Sequence, residues 1–246
     1  MAFITCSFFS NVLQKSTQFN AIIPEGRETG APVLYLLHGL KDDFTSWSRF
    51  TSIERYANEA GIAVIMPDAA RSFYRDMAYG GAYYSFFTNE LFPYVSRLFS
   101  FSTDKEKTYI AGVSMGGYGA LKIALLNPSV FGAAACLSGA VDISNRLSRD
   151  PRWAEIRKLV FGDQIDVTNS NDDLFHIIKE PFSSPSPRLY ITCGQDDFLF
   201  QNNLSFVSAL SETSISFQFD PAPGVHDWKF WDAQIQKAIK FFFDTK

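Results

Sequence analysis

The stretch "AGVSMGGYGALKIALLNP", residues 111–128, sets one serine between glycines and passes at once into an apolar run. Gly112-Val113-Ser114-Met115-Gly116 fits the pattern G-x-S-x-G, which has chemical meaning only where a strand enters it and a helix leaves it. Tyr109 to Val113 reads as a buried strand and Gly117 to Leu126 as a helix closed by Asn127-Pro128, so both conditions hold. A turn that sharp forces the serine into a strained backbone conformation, and side chains two residues to either side would collide with neighbouring backbone. Glycine at 112 and 116 follows. The turn lifts the Ser114 Oγ above the sheet edge and leaves the Met115 amide at a helix N-terminus, aimed where an oxyanion would form.

The same grammar extends in both directions. Val33 to His38, Ile62 to Met66, Gly132 to Leu137 and Leu189 to Cys193 are short, nearly continuous apolar runs of the kind that mark strands buried on both faces. Helical patterns lie between and after them, at about Ser46 to Ala60, Tyr83 to Phe99, Phe200 to Glu212 and Trp228 to Phe243. Strand alternating with helix predicts a mostly parallel α/β sheet covered on both faces. Pro93, inside the second helical pattern, is expected to kink or split it. Before this core, Phe3 to Phe9 and Thr17 to Ile23 alternate loosely and read as two antiparallel strands. From Val141 to Pro187 short helical turns mix with polar loops, which predicts a cap or lid over the C-terminal ends of the strands.

Composition bounds the rest. The 246 residues are 46% hydrophobic and only 20% charged, ample for a large core and too apolar for intrinsic disorder, and the length suits one α/β domain over 1–246. A net charge of −4, without a dense run of Lys or Arg, argues against nucleic acid as a partner. No apolar run approaches the about 18 residues of a membrane span. The opening residues lack a basic stretch followed by an unbroken apolar one, so they read as mature protein. Cys6, Cys136 and Cys193 are odd in number and far apart, which suits free thiols and a cytoplasmic location.

A nucleophilic serine needs a base, because a free hydroxyl is barely ionised at neutral pH. His226, in the loop "FDPAPGVHDWKFW" just before the last helix, is the candidate; His38 ends a core strand and His176 lies in the cap segment. The acid belongs on a loop after a strand between Ser114 and His226, where "LYITCGQDDFLF" supplies Asp196 and Asp197. Two adjacent carboxylates cannot both face one imidazole, and the residues themselves leave the pair tied. A second oxyanion donor is expected after the first core strand, where Gly39 permits close approach and the Leu40 amide is the donor. His38 then reads as a structural or rim residue. The aromatics Phe44, Trp47, Tyr74, Tyr79, Tyr83 and Tyr84 are candidates to line an apolar acyl site.

"LLHGLKDDFTSW", "MPDAARSFYRDMAYGGAYYSFF", "GVSMGGYGALKIAL", "CGQDDFLFQNN" and "GVHDWKFW", in this order from about residue 3 to 243, resemble the esterase D-like branch of the α/β hydrolases, and most closely the bacterial tributyrin esterases. The resemblance implies the α/β-hydrolase fold, hydrolysis of short acyl esters, Ser114 as nucleophile and His226 as base. It also implies Asp197 as the acid, since the family's acid directly precedes a Phe-Leu pair. The Leu40 and Met115 amides carry over as the oxyanion hole, and Asp68 and Tyr74 as residues lining the pocket. No metal or organic cofactor is implied; the partner is a small ester, with self-association into a homo-oligomer. Relatives of this branch include S-formylglutathione hydrolases, feruloyl and acetylxylan esterases and mycolyl transferases. The first of these tend to carry His where Tyr118 stands, which weighs against a glutathione thioester.

Overall fold

The apolar runs become the inner strands of an eight-stranded sheet with the spatial order β1-β2-β4-β3-β5-β6-β7-β8. The computed structural model describes residues 1–25, 30–144, 153–163 and 166–244. The strands are β1 (Ala2–Ser10), β2 (Lys15–Ile23), β3 (Val33–Leu37), β4 (Ala63–Pro67), β5 (Thr108–Val113), β6 (Ala133–Leu137), β7 (Arg188–Thr192) and β8 (Phe217–Phe219). β1 pairs antiparallel with β2 and β2 antiparallel with β4, while all later neighbours are parallel. Every residue of β3, β4, β5 and β6 is buried, which is why these segments read as unbroken apolar runs. β8, an exposed Gln218 between two half-buried phenylalanines, has no such signature and escapes a reading from pattern.

Alternate side chains feed two cores. Leu34 and Leu36 of β3 join Val64, Met66, Ala111 and Val113 under helices α1 (Ser46–Phe50) and α2 (Ile53–Ala60) and the C-terminal helix, Trp228–Phe243. Val33, Tyr35 and Leu37 face the other core, shared by α3 (Tyr83–Ser85), α4 (Phe92–Phe99), α5 (Met115–Leu126) and the helix Phe200–Leu210. The single helix expected over 46–60 is two, because Thr51 turns extended and its hydroxyl donates to the Trp47 carbonyl. As expected, the α-helical pattern is split at Pro93, which stands in the first turn of α4. Between α3 and α4 the chain widens to a π-type stretch over Phe86–Leu91, where the Phe92 N–H reaches the Phe87 carbonyl, and so relieves the crowding that a proline ring imposes.

Within the cap segment the structure shows α6 (Ala154–Phe161) and α7 (Leu174–Ile177); residues 145–152 and 164–165 lie outside those described. Its apolar side, Ile156, Val160, Phe161, Val167 and Leu174, packs into the core that contains α5. The remaining helices are α8 (Phe200–Leu210) and α9 (Trp228–Phe243). From β3 the chain steps outward to β4 and then returns to β5 on the other side of β3. The strand order thus reverses at β3 and β5, the position at whose C-terminal ends open α/β sheets place their sites. Among the described residues no helix is long and apolar enough to cross a membrane.

Candidate active site

Ser114 is the joint between β5 and α5, with φ 55° and ψ −114°, a conformation that costs a non-glycine residue about 1–3 kcal/mol. Its surroundings hold it there. The Ser114 N–H donates to Leu137 O at 3.0 Å, and its carbonyl accepts from Ala140 N at 3.0 Å and Tyr118 N at 3.1 Å. The flanking glycines are dictated by space: a Cβ at 112 would stand 2.4 Å from Gly116 O, and one at 116 would stand 2.6 Å from Leu37 O. The second clash shows that the start of α5 lies directly against the end of β3.

His226 sits in the loop before α9, whose entry is fixed by Asp227 accepting from the Phe230 amide at 2.9 Å. The loops after β7 and β8 run together, since Gln195 N donates to Ala222 O at 3.0 Å and Asp196 N to Gly224 O at 3.0 Å. That zipper brings Asp197 to His226 across 29 residues, with Oδ2 2.7 Å from Nδ1. An ionised carboxylate only accepts, so Nδ1 carries the proton, and Nε2 accepts from the Ser114 Oγ at 3.0 Å. Asp197 is buried and its other oxygen accepts from the Leu199 amide at 2.8 Å; Asp196 is exposed. Burial pushes the Asp197 carboxyl up, but the hydrogen bond and charge of His226, with the Leu199 amide, outweigh it and hold the group below its ordinary range. The imidazole is flanked by the rings of Phe198, 4.5 Å between centroids, and Trp231, 4.9 Å and edge-on.

The Gly39–Leu40 turn lies over the same point, for a Cβ on Gly39 would come 3.7 Å from the Ser114 Cβ. Neither the Leu40 nor the Met115 amide meets an acceptor among the described residues. His38 is buried; its Nε2 accepts from the Ala69 amide at 2.9 Å and its Nδ1 lies 2.7 Å from Gly39 O. Asp68 stands 3.6 Å from His38 Nε2 and accepts from the Ala70 amide at 3.3 Å, a local cap with a partly exposed carboxylate. Tyr74 was expected to line the pocket, but its side chain is wholly covered, its hydroxyl donating to His38 O at 2.9 Å.

The other aromatic candidates divide. Trp47 and Tyr83 are core residues, and Trp47 lies on the far side of the sheet with Nε1 donating to Leu37 O at 3.0 Å. Phe44 and Tyr84 are half-buried and Tyr79 is exposed. Tyr118 is also fully buried, its hydroxyl donating to Asp172 O at 2.8 Å.

Sequence reading missed a buried charge cluster. Lys122 of α5 donates to Asp172 Oδ1 at 2.5 Å, Arg75 Nε donates to Asp172 Oδ2 at 2.6 Å, and Arg75 Nη1 donates to Val160 O at 2.6 Å. It pins the cap segment to the serine-bearing helix. The available signal was one lysine in the otherwise apolar "GALKIALL", residues 119–126, since a lone charge on a buried face needs a counterion.

Comparison with known proteins gives a consistent set. A family described as putative esterase matches residues 10–242. An acetyl esterase of Caldicellulosiruptor saccharolyticus is 30% identical, with 98% of each chain covered. Among solved structures, a fluorophosphonate-binding serine hydrolase F of Staphylococcus aureus is 35% identical with a TM-score of 0.92, covering 98% of both chains. An S-formylglutathione hydrolase of the same organism is also 35% identical, with a TM-score of 0.88 and 98% of both chains covered.

Proposed function

This chain belongs to the putative esterase family, and from that premise we propose that it is a serine carboxylesterase acting on short-chain acyl esters. The single observation that carries the reading is the hydrogen-bonded series Asp197, His226, Ser114 at a strained strand-to-helix turn. Its support in the comparisons is the acetyl esterase and the fluorophosphonate-binding hydrolase, each aligned over nearly the whole chain.

In this reading Ser114 is the nucleophile. His226 Nε2 takes the hydroxyl proton as Oγ attacks the ester carbonyl, while Asp197 keeps the imidazole in the required tautomer and stabilises its cationic form. The carbonyl oxygen becomes an oxyanion held by the Leu40 and Met115 amides, which meet no competing acceptor among the described residues. Collapse of the tetrahedral adduct expels the alcohol, protonated by His226, and leaves acyl-Ser114. Water then attacks by the reverse proton route and releases the carboxylic acid.

The test is initial rates on p-nitrophenyl esters from acetate to decanoate, with Ser114→Ala beside the parent. Fastest turnover of the shortest chains, lost in the variant, is the expected result. Equal rates for parent and variant would sink the proposal. A second reading is favoured by the 35% identical S-formylglutathione hydrolase, namely a thioester substrate at the same serine. A kcat/KM on S-formylglutathione above that on p-nitrophenyl acetate selects it.

A further inference from the structure

The loop between β4 and α3 carries three non-glycine residues with positive φ, Ala70 at 46°, Phe73 at 52° and Tyr74 at 51°. Such residues persist only where surrounding contacts over-determine them, and they gather at sites where strain serves positioning. Here the contacts are explicit. The Tyr74 amide donates to the Ser72 hydroxyl at 3.0 Å, and the Tyr74 carbonyl accepts from the buried Lys122 ammonium at 3.4 Å. Lys122 is in turn held by Asp172, the carboxylate that also holds Arg75 of the same loop. The ring lies directly against α5, for a Cβ on Gly119 would stand 2.3 Å from it.

From that seat the Tyr74 hydroxyl reaches across to His38 O. This carbonyl immediately precedes Gly39, whose own carbonyl contacts His38 Nδ1 at 2.7 Å and belongs to the peptide that carries the Leu40 N–H. In a trans peptide C=O and N–H point in opposite directions, so the His38 Nδ1 contact on Gly39 O aims the Leu40 amide, while the Tyr74 hydroxyl fixes the preceding His38–Gly39 peptide from which that contact is made. Tyr74 therefore spans the two halves of the site: its ring rests on α5, the helix that follows Ser114, and its hydroxyl holds the loop that leads to Leu40.

We propose that Tyr74 is a positioning residue, which holds the His38 carbonyl from the serine-bearing helix and so keeps the Leu40 amide in register with Ser114. The inference rests on the reading of Leu40 as an oxyanion donor. It concerns the transition state and not the ground state, because an oxyanion exists only after attack.

Tyr74→Phe removes the one oxygen and keeps the ring that Gly119 accommodates. Four quantities are measured for parent, Tyr74→Phe and Ser72→Ala: kcat and KM on p-nitrophenyl acetate, Ki for a small alkyl boronic acid, and Tm. The boronic acid adds to the serine to form a tetrahedral anion. A displacement of about 1 Å in a reacting group costs up to about 100-fold. The expected result for Tyr74→Phe is a kcat lower by about 10- to 100-fold, a KM within about threefold, and a boronate Ki weakened in parallel with kcat. Ser72→Ala, which frees the Tyr74 amide, shows the same split at smaller size. An unchanged kcat, or a rise in KM with boronate affinity intact, overturns the inference. Ser114→Ala in the same assay separates the two readings. If it is inactive and Tyr74→Phe equals the parent, only the present inference fails; if it matches the parent, the esterase reading itself fails.

Discussion

Replacing Asp172 by Asn keeps the shape of the side chain and removes its charge, and the structure sets the scale of the damage. The carboxylate lies 2.5 Å from the Lys122 ammonium and 2.6 Å from Arg75 Nε, with Lys122 only 3% exposed. At an effective dielectric of about 20, each contact is worth about 6–7 kcal/mol of attraction. Desolvation of the three groups offsets most of this, and removing one member of a buried cluster leaves a net loss of about 3–5 kcal/mol, because a cation stays buried without its counterion. In a chain of this size each kcal/mol moves Tm by about 2–4 °C, so Asp172→Asn is expected to melt about 6–20 °C below the parent. Circular dichroism melts at neutral pH read this directly. Lys122→Met is expected to lose less, since Arg75 still answers Asp172, and the double variant less than the sum of the singles. A Tm within about 2 °C of the parent, or strict additivity in the double variant, would refute the reasoning.

Three further outcomes follow from the site and its frame. Asp197→Asn is expected to lower kcat on p-nitrophenyl acetate by about 10³- to 10⁴-fold at neutral pH. Because its folded carboxyl titrates below the ordinary value, the stability Asp197 contributes is complete above about pH 4 and is lost as pH falls through the lower folded value, so the variant flattens the acid limb of Tm against pH. Gly116→Ala drives a methyl into Leu37 O and His38 O, 2.6 and 2.7 Å away, and is expected to cost about 3 kcal/mol or more in urea unfolding together with the esterase activity. Trp47→Phe loses the bond to Leu37 O and is expected to destabilise by about 1–3 kcal/mol while KM for short esters stays unchanged; a raised KM would mean that Trp47 reaches the substrate.

Seven of the eight strands and the chain order of the reacting groups were legible in the residues alone. Strands buried on both faces must be apolar throughout, so β3 to β7 were legible as runs, and the geometry of a strand-to-helix elbow demands glycine at 112 and 116 whatever the rest of the chain does. Local rules stopped where partners are distant. Asp196 and Asp197 are chemically alike, and only the zipper between the loops after β7 and β8 turns Asp197 inward to His226 and Asp196 out to solvent. Tyr74 and Trp47 read as pocket aromatics, yet one is a covered brace and the other faces the opposite core, because side-chain direction depends on the sheet face and loop path that a residue joins. The pairing of Lys122 with Asp172, 50 residues apart, was decided by tertiary structure alone. A buried cation demands a counterion, but which carboxylate supplies it is settled by the path of the cap segment across α5, and no periodicity in the chain encodes that path.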